Sequence, residues 1–227
     1  MKPLLILTLG ISLITSCAPV YIPNVANVPL LSQKGELQVA VHAGTAGIDP
    51  QVAYAITNTV GIMANGSFRD SKSSESNDFH NHNFGELGIG YYTQIDETGR
   101  FEVFSGFGLG ETNSQIISTF SNRVHAKYNK FFIQPSIGLT QKSVDFSFST
   151  RYIFVSVNDL SNSNFDYTRS FIEPIATLKL GGNKIKAVVQ LGLSLPINDK
   201  GSSIDFQPLL LSIGVHSRLG EFFNKKE

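Results

Sequence analysis

The stretch Val144-Asp145-Phe146-Ser147-Phe148-Ser149-Thr150-Arg151-Tyr152-Ile153-Phe154 alternates apolar and polar residues with period two. In an extended chain successive side chains leave opposite faces. One face therefore carries Val144, Phe146, Phe148, Tyr152 and Phe154, and the other carries Asp145, Ser147, Ser149 and Arg151. The first face holds no charge. The second holds small polar groups between two opposite charges.

The same division repeats in both directions along the chain. It marks about ten strands, over residues 35–44, 49–57, 59–69, 83–94, 100–111, 128–140, 143–156, 168–181, 184–196 and 204–218. No stretch has a clear helical period. The apolar faces include Leu37, Val39 and Val41; Val60, Ile62 and Phe68; Leu87, Ile89 and Tyr91; Phe131, Ile133 and Ile137; Val189, Leu191 and Leu193; and Leu211, Ile213 and Val215. None of these positions is Lys, Arg, Asp or Glu. On the lipid face of a barrel, Lys or Arg at mid-depth costs roughly 2–4 kcal/mol, so a membrane demands such a set. The polar faces run Glu86, Gly88, Gly90; Glu102, Gly106, Gly108; and Gln134, Ser136, Gly138. A soluble sandwich would bring many Lys, Glu and Thr residues to that side, whereas small side chains suit a crowded lumen.

The connections alternate in length. Residues 70–82, 112–127 and 157–167 read as long polar loops, while Asn58, Asp96 to Gly99, Gln141-Lys142 and Gly182-Asn183 read as tight turns. The connection near Gly44 to Gly47 is a short exception. Long loops on one side and short turns on the other mark an outer-membrane barrel. Lipid would leave the edges of an open sheet unpaired, so the sheet must close. The expected fold is therefore all-β, an antiparallel up-and-down transmembrane β-barrel of about ten strands, within a range of about 8–12.

Composition agrees. Charged residues make up 16% of the chain, below the roughly 25% of ordinary soluble domains. The chain has 20 glycines, 17 phenylalanines, no tryptophan and a formal net charge of zero. Zero net charge offers nothing to nucleic acid. After residue 16, no apolar run reaches the about 18 residues of a spanning helix. A single cysteine, Cys17, excludes intrachain disulfides and a thiolate metal site.

Lys2, the apolar run Leu4 to Ile14 and the small residues before Cys17 make a secretory signal peptide. Ile14-Thr15-Ser16-Cys17 resembles the lipobox of bacterial lipoproteins. The resemblance implies that Cys17 receives a diacylglyceryl thioether and becomes the acylated first residue of the mature protein. The alternative is an ordinary signal peptide beside a structural cysteine. Tyr21-Ile22-Pro23-Asn24, Asn27-Val28-Pro29-Leu30-Leu31 and Lys34-Gly35-Glu36 resemble the start of small outer-membrane barrel lipoproteins. The implied division is a signal peptide over 1–16, the lipidated cysteine and a Pro/Asn-rich linker over 17–34, the barrel over 35–220 and a tail over 221–227. The implied location is the outer membrane, with a periplasm-facing anchor. Such an anchor would send the first strand outward and place the long loops outside.

The polar faces supply candidate lumen charges: Glu86, Glu102, Arg151, Glu173, Lys179, Lys186 and Arg218. Neighbouring strands would set Glu86 near Glu102. Charges in a narrow lumen pair and plug it, because an unpaired buried ion is costly. A charged constriction is the alternative. Asp78, His80 and His82 could hold a divalent metal, but a Ser/Asn-rich solvated loop is the better reading, and no metal or other cofactor is expected. His216 and Ser217 are adjacent and so fall on opposite faces, while His42 and His216 share the polar face as structural histidines. Gly106-Phe107-Gly108-Leu109-Gly110 lacks the helix that a phosphate loop needs.

The expectation is a non-enzymatic, lipid-anchored barrel of structural or surface-interaction type. Its partners would be outer-membrane lipid and a surface ligand or protein meeting the loops at 70–82, 112–127 and 157–167. The alternatives are a periplasmic lipoprotein with a lipocalin-like barrel around an apolar ligand, and a small porin.

Overall fold

The alternating stretches pair edge to edge around a complete circle. A computed structural model describes residues 19–72, 79–116, 122–160, 167–197 and 205–219. The strands are β1 (Leu37–Gly44), β2 (Ile48–Ala55), β3 (Val60–Lys72), β4 (Phe79–Gln94), β5 (Gly99–Ile116), β6 (Asn122–Thr140), β7 (Val144–Leu160), β8 (Tyr167–Gly181), β9 (Ile185–Leu193), β10 (Leu195–Pro196) and β11 (Leu209–Arg218). From β1 to β9 each strand pairs antiparallel with the next. β11 pairs with β9 on one side and β1 on the other, which closes the sheet. β10 continues β9 past Ser194 and stays on β8, so the wall is a ten-stranded barrel with one short extension.

The apolar faces point outward. Val41, Ile62, Leu87, Ile89, Phe107, Ile133, Phe148, Leu191 and Ile213 are all exposed, Leu87 to 70%. They come from strands all round the wall and form a continuous charge-free belt, the kind of contiguous exposed apolar surface that marks a membrane or partner contact. The register sets them level: Ile89 lies opposite Ile62, and Val41 lies between Pro50 and Val215.

The two ends of the barrel differ. At one end the connections are residues 56–59, 95–98, 141–143 and 182–184. The Asp96 carboxylate accepts bonds from Gly99 N and Thr98 N, which hold it below the usual carboxylate range and fix one of these turns. At the other end the strands run past the belt. β3 and β4 stay paired to Lys72 and Phe79, and β5 and β6 to Ile116 and Asn122. The described parts of the loops expected at 70–82, 112–127 and 157–167 are therefore strand, while residues 73–78, 117–121 and 161–166 lie outside the described residues. The pleat continues into water, with Asn83, Glu111 and Lys127 exposed and His82, Thr112 and Ser114 buried, so no apolar face advertises it. His80 and His82 stand on β4, not in a solvated loop, while Asp78 lies outside the described residues.

The largest departure from expectation is the segment before β1. Residues 20–31 are all buried. They enter at the long-connection end, where Val20 N and Tyr21 N donate to Asp205 O and Tyr21 bridges Phe206. They leave at the short-turn end, where Gln94 Nε2 donates to Ser32 O and Lys34 N to Asn58 Oδ1. An extended chain reaches about 3.3–3.6 Å per residue, enough here to cross a hydrocarbon layer of about 30 Å. Residues 20–31 of the expected 17–34 linker are thus an axial filling, not an external tether. β1 still starts at the short-turn end, but the chain before it comes from the opposite mouth.

The filled lumen as candidate functional site

Glu86 projects inward from the middle of β4 and organises the largest polar cluster. Its carboxylate meets Lys130 Nζ of β6 at 2.7 Å and takes two bonds from Arg151 Nη2 of β7, each 3.1 Å. Asn65 Nδ2 and Asn24 Nδ2 donate to the same group at 2.9 and 3.1 Å. Asn24 belongs to the axial segment, and its amide oxygen accepts from both Lys130 and Arg151. One asparagine therefore donates to the anion and accepts from both cations, which fixes the rotation of its amide. Aromatic faces complete the site: Lys130 Nζ lies 4.1 Å from the Phe84 ring centre, and the Arg151 guanidinium 4.7 Å from that of Phe132.

The backbone of the axial segment has no strand partner in mid-lumen, so side chains of the wall serve it. Asp49 Oδ1 accepts from Val25 N, and Gln51 Nε2 donates to Val25 O. Gln190 both accepts from Ala26 N and donates to Ala26 O, imitating a strand neighbour. Gln134 donates to Asn27 O, and Lys179 Nζ to Val28 O at 2.8 Å. Glu102 accepts from Leu30 N at 2.9 Å, where Leu30 takes the left-handed φ of 53°. Pro23 and Pro29 have no N–H and so lower the number of donors to be satisfied.

At the long-connection end Tyr21 donates to Glu173 at 2.8 Å, as does Ser194 at 2.9 Å. The Tyr21 ring stacks on Phe171 with centroids 4.8 Å apart. At the short-turn end Lys186 pairs with Asp145 at 2.6 Å and Arg218 with Glu36 at 2.9 Å.

All seven candidate charges thus face the lumen, but they do not form one site. Glu86 and Glu102 are far apart: Glu86 lies opposite Gly108 and Glu102 opposite Tyr92. The antiparallel register offsets them by six residues of β5, from 102 to 108, or about 20 Å. Glu102 and Lys179 are both hydrogen-bonded to the axial backbone. Sequence reasoning missed Asn24, Asn27, Lys130, Gln190 and Glu36. One signal was present: no charged residue occurs between Lys2 and Lys34, an odd composition for a solvated linker.

Glycines on the inner face make room for rings. A Cβ at Gly106 would sit 2.6 Å from the Phe132 ring and 2.2 Å from Leu87 O, and one at Gly110 would sit 2.2 Å from Tyr128. Inward aromatic residues thus lie over glycines of the neighbouring strand, and this packing completes the filling. Around His42, His216, Lys179 and Gln190 the remaining gap is about 10 Å³, no more than a single water. His42 Nδ1 meets Ser212 Oγ at 3.3 Å and His216 Nε2 meets Gln38 Oε1 at 2.7 Å. No group of three metal-binding side chains occurs among the described residues.

No protein-family model matches the chain, and no curated protein is significantly similar to it. Among solved structures, the translocator domain of the autotransporter NalP from Neisseria meningitidis is similar, with a TM-score of 0.46 and 13% identity over 81% of this chain and 86% of that one.

Proposed function

We propose that this chain is an outer-membrane β-barrel, lipid-anchored at Cys17, that serves as a closed surface scaffold and not as a channel or enzyme. The filled lumen is the observation that carries this reading. Residues 20–31 occupy the axis, and wall side chains at successive depths are committed to them. Among the described residues, the occupied lumen leaves a solute no continuous polar path. The lipocalin-like alternative needs an apolar interior. Here the middle of the barrel holds Glu86, Lys130, Arg151 and Gln134, while the apolar residues face out. The strand extensions beyond the belt would present the polar surface that meets a partner.

Purified protein in a planar bilayer should give no conductance steps. Regular steps from the intact chain would overturn the closed scaffold. The membrane reading has its own test in Ile89, which is 59% exposed in the belt. On a soluble surface Ile89→Lys is nearly neutral. On a lipid face it should cost about 2–4 kcal/mol. Urea unfolding from lipid vesicles measures the difference, and a change within about 0.5 kcal/mol, as at ordinary surface positions, would sink the reading.

A further inference from the structure

The axial segment has a direction, and we infer that the barrel delivers its own N-terminus to the long-connection face of the membrane. The inference rests on the membrane-barrel and Cys17 lipoprotein readings above. It adds that the anchor lies on the cell surface, in the outer leaflet, opposite the C-terminal end of the barrel.

The ends of the segment are fixed independently. Val20 and Tyr21 are bound to Asp205 and Phe206, in the connection between β10 and β11, and Thr112 Oγ1 of the extended β5 donates to Val20 O at 3.3 Å. Ser32 and Lys34 are bound to Gln94 and Asn58 at the short turns. Between them, bonds come from β2, β4, β5, β6, β8 and β9, so the segment passes through the barrel and does not lie across a mouth. The last described wall contact, Arg218 N to Lys184 O with Leu219 N to Leu37 O, is at the short-turn end.

Short turns face the periplasm and longer connections face outside in such barrels. Pro19 then stands at the outer mouth. Cys17 is two residues away, a reach of at most about 7 Å. A diacylglyceryl group needs hydrocarbon, and the wall offers a low crossing point. β1 and β2 end their pairing at Ala43 and Ile48. Ile48 is level with Phe68, and beyond Phe68 the β3–β4 wall rises by four more pairs, from Arg69 opposite His82 to Lys72 opposite Phe79. The rim at β1 and β2 is thus lower than the rim at β3 and β4. The expected anchor is therefore a surface lipid, whereas the residues after Cys17 read alone suggest a periplasmic one.

Epitope tags test this in intact cells that make the full chain. One is inserted between Ala18 and Pro19, one between residues 73 and 78, and one after Glu227. Antibody should reach the first two on intact cells and the third only after permeabilisation. If the 73–78 tag is exposed while the Ala18–Pro19 tag needs permeabilisation, the threading is wrong. If the 73–78 tag also stays hidden and the protein leaves the membrane without detergent, the membrane-barrel reading falls as well. Where the insertion hinders assembly, Tyr21→Cys with Phe206→Cys, which the β-bridge holds side by side, reads the threading without it. Oxidation should give an internally cross-linked monomer with altered gel mobility, and the absence of that species would overturn the path.

Discussion

Replacing Glu86 by glutamine should cost the folded barrel about 3–5 kcal/mol, because it strands buried cations whose partner is lost. Lys130 and Arg151 both bind this carboxylate, and both side chains are 1% exposed or less. Glutamine keeps the size and can still receive the Asn65 and Asn24 amides, so the loss isolates the charge. The midpoint of urea unfolding, followed by the heat-modifiable mobility of the folded barrel on gels, reads the effect. Adding Lys130→Met to Glu86→Gln should restore part of the loss, since removing both partners of a buried pair is gentler than removing one. A single-variant loss below about 1 kcal/mol, the scale of an exposed ion pair, would mean that water already screens the cluster, and the closed lumen would be refuted.

The second large effect concerns the axial segment. Deleting residues 20–31 should turn a silent protein into one that shows conductance steps. The emptied lumen would be lined by Glu86, Lys130, Arg151, Gln134 and Gln190, which water can reach once the segment is gone. Each buried group left without a partner would cost about 1–3 kcal/mol in a dry site, but entering water takes over the lost hydrogen bonds, so the barrel should persist. Where the deletion does not assemble, a Gly/Ser segment of the same length keeps the connection and removes the side-chain contacts. It should conduct intermittently. Silence from both assembled variants would show that the wall, not the segment, closes the lumen.

How much of this could be read from sequence follows from how each part is stabilised. The wall is legible because each strand has two different surroundings, so Leu87 and Ile89 alternate with Glu86 and Gly88. That rule fails above the belt, where both faces of β4 near Asn81 and Asn83 are polar and the strand resembles a loop. It fails again at residues 20–31, which have one surrounding on all sides and therefore no period. Pro23 and Pro29 correctly announced an extended chain, but extension does not say where the chain runs. The pairing of charges was also out of reach. Glu86 and Arg151 lie on strands three places apart, β4 and β7, and meet only across the lumen through a register that local pattern does not encode.

Closure of the wall between β1 and β11 joins Val41 to Val215, so the first strand to leave the ribosome waits for the last. A pairing this distant in sequence is slow to form. Until it forms the molecule is an open curved sheet, and residues 20–31 can lie against its concave side without threading any hole. Once the seam shuts, the chain becomes a ring with its own N-terminal portion as the axle, in the manner of a rotaxane. A bulky group fixed to that end before closure would act as a stopper, and the axle could then be released only by reopening the seam. Closure of this one seam would therefore determine, in a single step, both the shape of the wall and the mouth at which the segment before β1 emerges.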